Sequence, residues 1–111
     1  MPPRDWRLRV DDILNAIANI TRYIGELDFD QFRADQKTVD TVVRNLEVIE
    51  EAARHLVTDP ECVLPGVGWA DIAGMRNILI HEYFGVDLAI VWETVKHDLP
   101  LLRTQLEATS R

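Results

Sequence analysis

An all-α, antiparallel bundle of four main helices joined by short turns is the fold this sequence predicts. Three observations carry that expectation. Apolar residues recur at helical spacing in successive segments, Gly and Pro gather mainly between those segments, and no stretch alternates polar and apolar residues as a half-buried strand would. With 111 residues and 47% hydrophobic content, a single domain over residues 1–111 is expected.

The first helix is expected from Asp5 to about Leu27, because Ile13, Ile17, Ile20, Ile24 and Leu27 recur at steps of four, three, four and three. Its other face carries Asp11, Asp12, Asn15, Asn19, Arg22 and Glu26, a solvated surface. Gly25 lies near the end, where losing helix costs little. Asp28 to Ala34 reads as a corner, with Phe29 and Phe32 able to pin one turn to the core. From about Asp35 to Leu56, Val39, Val42, Val43, Leu46, Ile49, Ala53 and Leu56 mark a long second helix without Gly or Pro. Asp40, Arg44, Glu47, Glu50, Glu51 and Arg54 decorate it as a wet face for the most part. Asp40 with Arg44 and Glu50 with Arg54 are acid-before-base pairs at i,i+4.

Thr58 to Gly68, with Pro60, Pro65, Gly66 and Gly68, is the one substantial loop. A third helix is expected from about Trp69 to Phe84, stopped by Gly85, and Asp87 is placed to cap a fourth. That helix runs through Leu88, Val91, Trp92 and Val95. Pro100 cannot continue its ladder unbroken, so a kink or restart is expected near Leu99, after which Leu102 and Leu106 extend the apolar face.

The formal net charge of −7 argues against a surface that tracks phosphates nonspecifically, so a nucleic acid would need a local positive site. Ten of the twelve basic residues are Arg, the side chain suited to bidentate phosphate contacts. Cys62 is alone, which rules out an internal disulfide and a cysteine-based zinc set. The opening MPPRDWRLRVDD lacks the apolar core of a signal peptide, and no apolar run approaches the ~18 residues of a membrane span. A cytoplasmic protein with no membrane partner is expected.

Chemistry concentrates in GMRNILIHEYFGVD, Gly74 to Asp87, where Arg76, Asn77, His81 and Tyr83 interrupt an apolar segment. On a regular helix Arg76 and His81 lie ~140° apart around the axis and ~7.5 Å along it, so they do not share a face. Asn77 and His81 do, and Arg76 lines up with Tyr83. A second subunit packing its third helix antiparallel would bring the two stripes together. A guanidinium, an imidazole and an amide without a carboxylate cluster suit metal-free phosphodiester cleavage. His81 would exchange protons with a ribose 2′-hydroxyl or the leaving 5′-oxygen, Arg76 would hold the nonbridging oxygens, and Asn77 would orient the hydroxyl or the imidazole. The products would be a 2′,3′-cyclic phosphate and a 5′-hydroxyl, which confines the reaction to RNA. Spacing alone favours plainer roles: a His at a helix C-terminus meeting the dipole, and an Arg pairing with acids such as Glu51. Trp6, Trp69 and Trp92 read as core or interface fillers rather than stacking platforms, and His55 and His97 as structural or solvent-facing groups.

The run from Arg76 to Tyr83 resembles the R-x4-H-x-Y form of the R-x(4-6)-H motif of HEPN domains. DDILNAI at Asp11, the Asp40 to Arg44 region, EEAA at Glu50, the PGVGW before the third helix, and YFGVD with VWETV after it are similar to the HepT-like toxin family over most of the chain. Glu50 stands where that family commonly has Gly, in a G-E-A pattern, while Glu51 keeps the acidic position. The resemblance implies a HEPN-like, homodimeric helical bundle that acts without metal or other cofactor as a ribonuclease toxin on tRNA or mRNA, with Arg76 and His81 as the catalytic pair and Asn77 beside them. It also implies an MntA-like minimal nucleotidyltransferase antitoxin that uses ATP to attach AMP units to Tyr83. Whether the dimer joins that antitoxin in a larger hetero-oligomer is left open. The rival expectation is a noncatalytic helical dimer that binds a nucleotidyltransferase or a nucleotide.

Overall fold

The computed structural model describes residues 5–62, 67–68, 72 and 87–109, and among these every regular element is helical. Helix α1 spans Trp6–Ile24, α2 Phe29–Ala34, α3 Gln36–Val57, α4 Leu88–Glu93 and α5 Leu99–Thr109, with a π-helical turn at Thr94–Asp98 joining the last two. The expected third helix, Trp69 to Phe84, lies outside the described residues except for Ile72.

Acidic side chains start α1 to α4. Asp5 accepts a bond from the Arg7 amide at 2.9 Å at the head of α1, and Asp87 accepts one from the Ala89 amide at 3.0 Å at the head of α4. Asp28 and Gln31 form a reciprocal capping box on α2, with each side chain taking the other's backbone N–H at 2.8 and 3.0 Å. Asp35 then takes both the amide and the hydroxyl of Thr38 at the head of α3. Helix α1 stops at Ile24, short of the expected Leu27, because Gly25 adopts φ +52°, a conformation that L side chains rarely take, while its amide still donates to the Thr21 carbonyl.

The corner formed by α2 returns the chain along α1, and α1 with α3 is the principal helix pair. Their shared core is built from Ile13, Ile17, Ile20, Val42, Leu46, Ile49 and Leu56. One polar bridge crosses it at the edge: Asn19 donates to Asn45 at 3.2 Å, Asn45 donates back to the Thr41 carbonyl, and Arg22 donates to Asn19. Helix α5 lies against α1 and buries Leu99, Leu102 and Leu106, while α4 meets α2 through aromatic packing. The fully buried Phe32 stands 5.2 Å from Trp92, and Phe29 meets Trp92 edge-on at 5.8 Å. Trp6 and Trp92 are therefore core fillers, as the sequence suggested.

The restart near Pro100 takes a specific form. Leu99 donates its amide to the Thr94 carbonyl, five residues back rather than four, and α-helix resumes at Leu99. Pro100 has no amide to give, and its ring would crowd the carbonyl of Lys96 four residues earlier in a regular ladder. The wider turn accommodates it without breaking the rod.

Two expectations about the surface of α3 need correction. Asp40 does not pair with Arg44; Gln36 donates to Asp40 at 2.7 Å, and Arg44 reaches forward to Glu47 at 3.8 Å. Glu50 is not on the wet face but is buried, at 7% exposure, and it is the one buried polar or charged residue among those described. At ~100° per residue, Glu50 falls between Val39 and Val43 on the flank of the apolar stripe, so helical geometry dictates burial where residue type suggested water.

Candidate functional site

Arg76, Asn77, His81 and Tyr83 all lie outside the described residues, as do Gly74, Gly85 and Trp69. The described structure supplies the frame at either end of that stretch. Downstream, the Asp87 cap launches α4, and Val91 of α4 and Val95 of the π turn are sunk into the core. Upstream, the half-buried Val67 and Ile72 pack against the same core.

Next to Gly68 and Ile72 lies a cavity of about 210 Å³ whose other wall is the π turn and α5, through Thr94, Asp98, Leu99 and Leu102. Its described lining includes no imidazole, thiol or guanidinium. Asp98 is the one ionisable side chain in that described lining. Burial, reinforced by the charge of Asp59, pushes the Cys62 thiol above the usual range and so disfavours the thiolate. His97 pairs with Glu93 at 3.3 Å on the open surface of the helix, and His55 is exposed near the end of α3. Among the described residues no group of three His, Cys, Asp or Glu could hold a metal ion.

The charged group with the most unusual surroundings is one that residue type alone did not single out. Glu50 Oε1 is buried without a hydrogen-bond partner, and the Arg54 Nε stands 3.6 Å away. Buried carboxylates are costly unless a cation faces them, so the two side chains form one unit at the edge of the core. Its angular position on α3 was the signal for it in the sequence.

Comparison with known proteins agrees with the family that the sequence resembles. The profile of the HepT-like family, described as "Ribonuclease HepT-like", matches residues 13–109, and the chain belongs to that family. It is 41% identical over 98 residues to "Probable ribonuclease HepT" of Thermococcus cleftensis, covering 88% of this chain and 89% of the relative. It is 35% identical over 107 residues to "Putative RNase MJ1380" of Methanocaldococcus jannaschii, covering 96% of this chain and 98% of the relative. No solved structure matches the chain significantly. No described helix is long and apolar enough to cross a membrane.

Proposed function

We propose that this protein is a metal-independent endoribonuclease, the toxin of a toxin–antitoxin pair, and that Arg76, Asn77 and His81 carry the reaction in a cleft shared by two copies. The observation that carries the reading is the family match, whose span, residues 13–109, includes the R-x4-H-x-Y stretch. His81 withdraws the proton of the ribose 2′-hydroxyl, whose oxygen attacks the adjacent phosphorus. The P–O5′ bond breaks, and the 5′-oxygen leaves with a proton as a hydroxyl, giving a 2′,3′-cyclic phosphate. Arg76 binds the nonbridging oxygens, where negative charge builds in the transition state, and Asn77 orients the hydroxyl or the imidazole.

Regulation belongs to the same reading. A cognate nucleotidyltransferase antitoxin transfers AMP from ATP to Tyr83: the phenol oxygen bonds to the α-phosphorus, the bond to the β-phosphate oxygen breaks, and pyrophosphate departs. Tyr83 is two residues from His81, so each added phosphodiester brings negative charge and bulk beside the imidazole and repels RNA. The net charge of −7 favours a second reading, a helical dimer that binds a nucleotidyltransferase or nucleotide without cutting RNA.

Incubating the purified protein with labelled tRNA and mRNA in EDTA separates the two. Cleavage that persists under chelation and is lost in both Arg76→Ala and His81→Ala is the expected result; intact RNA together with retained partner binding would establish the noncatalytic module instead.

A further inference from the structure

One acid–base pair is built differently from the rest. In the ion pairs of Arg7, Arg33, Arg44, His97 and Arg103, the acidic side chains are between 46% and 81% exposed. Such pairs share water with their counterions and hold neither partner firmly. In the Arg54–Glu50 pair the Glu50 side chain is 9% exposed and the Arg54 side chain 48%. The negative charge is inside and the positive charge is at the surface.

That asymmetry constrains Arg54. A carboxylate with a buried, unbonded oxygen keeps a nearby cation facing it, because leaving it alone is the costlier state. The Arg54 Nε takes that side, at 3.6 Å. Glu51, three residues before Arg54 and exposed, is also within helical reach, but the guanidinium turns to Glu50. Among the described residues Glu50 is the only partner Arg54 has, and the Arg54 side chain is about half exposed, so its Nη groups have no partner there. A guanidinium drawn toward a buried carboxylate on its Nε side, with its two-pronged edge unpaired, matches the geometry of a phosphate. On a chain with net charge −7, it also answers the need for local positive sites if a polyanion is to bind.

We propose that Arg54, braced from behind by the buried Glu50, contacts a backbone phosphate of the RNA substrate. The inference rests on RNA being the substrate, as proposed above, but not on the identity of the catalytic residues. It gives Glu50 a role that its burial alone does not: the carboxylate is a positioning group acting through Arg54.

The test measures binding separately from cleavage. A fluorescent oligonucleotide with every 2′-hydroxyl methylated cannot be cut by 2′-oxygen attack, and its anisotropy reports affinity for the full-length protein. The double variant Glu50→Gln/Arg54→Met removes both charges, leaving the net charge unchanged. It is expected to bind about tenfold more weakly at low salt, and its slope of log affinity against log salt should be shallower by about one phosphate contact. Glu50→Gln alone discriminates further: a simple charge effect predicts tighter binding, whereas loss of the brace predicts weaker binding. Wild-type affinity in a double variant that keeps its helical circular dichroism, or tighter binding by Glu50→Gln, overturns the proposal. Should the double variant unfold, Arg54→Lys decides, since it keeps the charge but not the fork; undiminished affinity there overturns the proposal too. A wild-type protein that binds the methylated strand but leaves ordinary RNA intact refutes cleavage and not this contact, whereas one that binds no RNA refutes both.

Discussion

Asp35 shows how much one side chain sets at the head of a helix. It is fully in solvent, yet bonds from the Thr38 hydroxyl and amide hold its carboxyl below the usual carboxylate range. Those bonds favour the charged form, and that decides the sign of its effect on stability. The contribution is fully present above the ordinary carboxylate value and is lost as pH falls through the lower folded value. Thermal midpoints of the wild type and Asp35→Ala should therefore differ at neutral pH and converge as the solution is acidified below the ordinary value. A gap that stays constant into strong acid would show that the cap does not depend on ionisation. Asp35 was legible in the sequence as the start of α3, whereas Glu50 was read as solvated from its charge. The difference is physical: a cap is identified by residue type next to a periodic segment, but burial on a helix is set by angle. The angle places Glu50 beside Val39 and Val43.

At the scale of elements, the corner α2 is the joint on which the described helices meet. Phe32 has no exposed surface and lies against Trp92 of α4, so a six-residue helix between α1 and α3 ties the far end of the chain to its beginning. Phe32→Ala should cost about 3–5 kcal/mol, measured by urea unfolding, because the vacated volume is enclosed by residues that cannot all close over it. Leu101→Ala, at a site 61% exposed, is the matched control, with an expected change within about 0.5 kcal/mol. A small loss at Phe32 would mean that α2 and α4 repack independently. The two phenylalanines three apart and the stripes of α1, α3 and α4 were readable from spacing, since a helix that buries one face must repeat its apolar residues along it, and Asp87 was readable as a cap from its residue type. The π turn was readable only as an obstacle. Pro100 announces that the ladder is interrupted, but whether the helix bends, breaks or widens depends on what the flanking turns gain by staying packed, and here Val95 and Leu99 are both buried.

For the molecule as a whole, the Arg76–Tyr83 motif was visible in the sequence because its residue types are unusual together, while the Arg54 brace was not, because it depends on which neighbour is buried. The chain contains two tyrosines, and this makes the proposed regulation sharply testable. Tyr23 is 41% exposed on α1 and lies under Arg22, whose guanidinium carbon is 5.2 Å from its ring centre. An accessible phenol is therefore present even when Tyr83 is replaced. Mixed with the proposed nucleotidyltransferase antitoxin, ATP and Mg²⁺, the wild-type protein should gain mass in AMP-sized steps, and its RNA cleavage should fall in proportion to the modified fraction. Tyr83→Phe should gain no mass under the same conditions and should go on cutting RNA in the presence of the transferase. If that variant gained mass, the acceptor would be Tyr23 or another hydroxyl, remote in sequence from His81, and charge repulsion beside the imidazole would no longer explain the inhibition. If the wild type gained mass without losing cleavage, the modification would be separable from control of the nuclease.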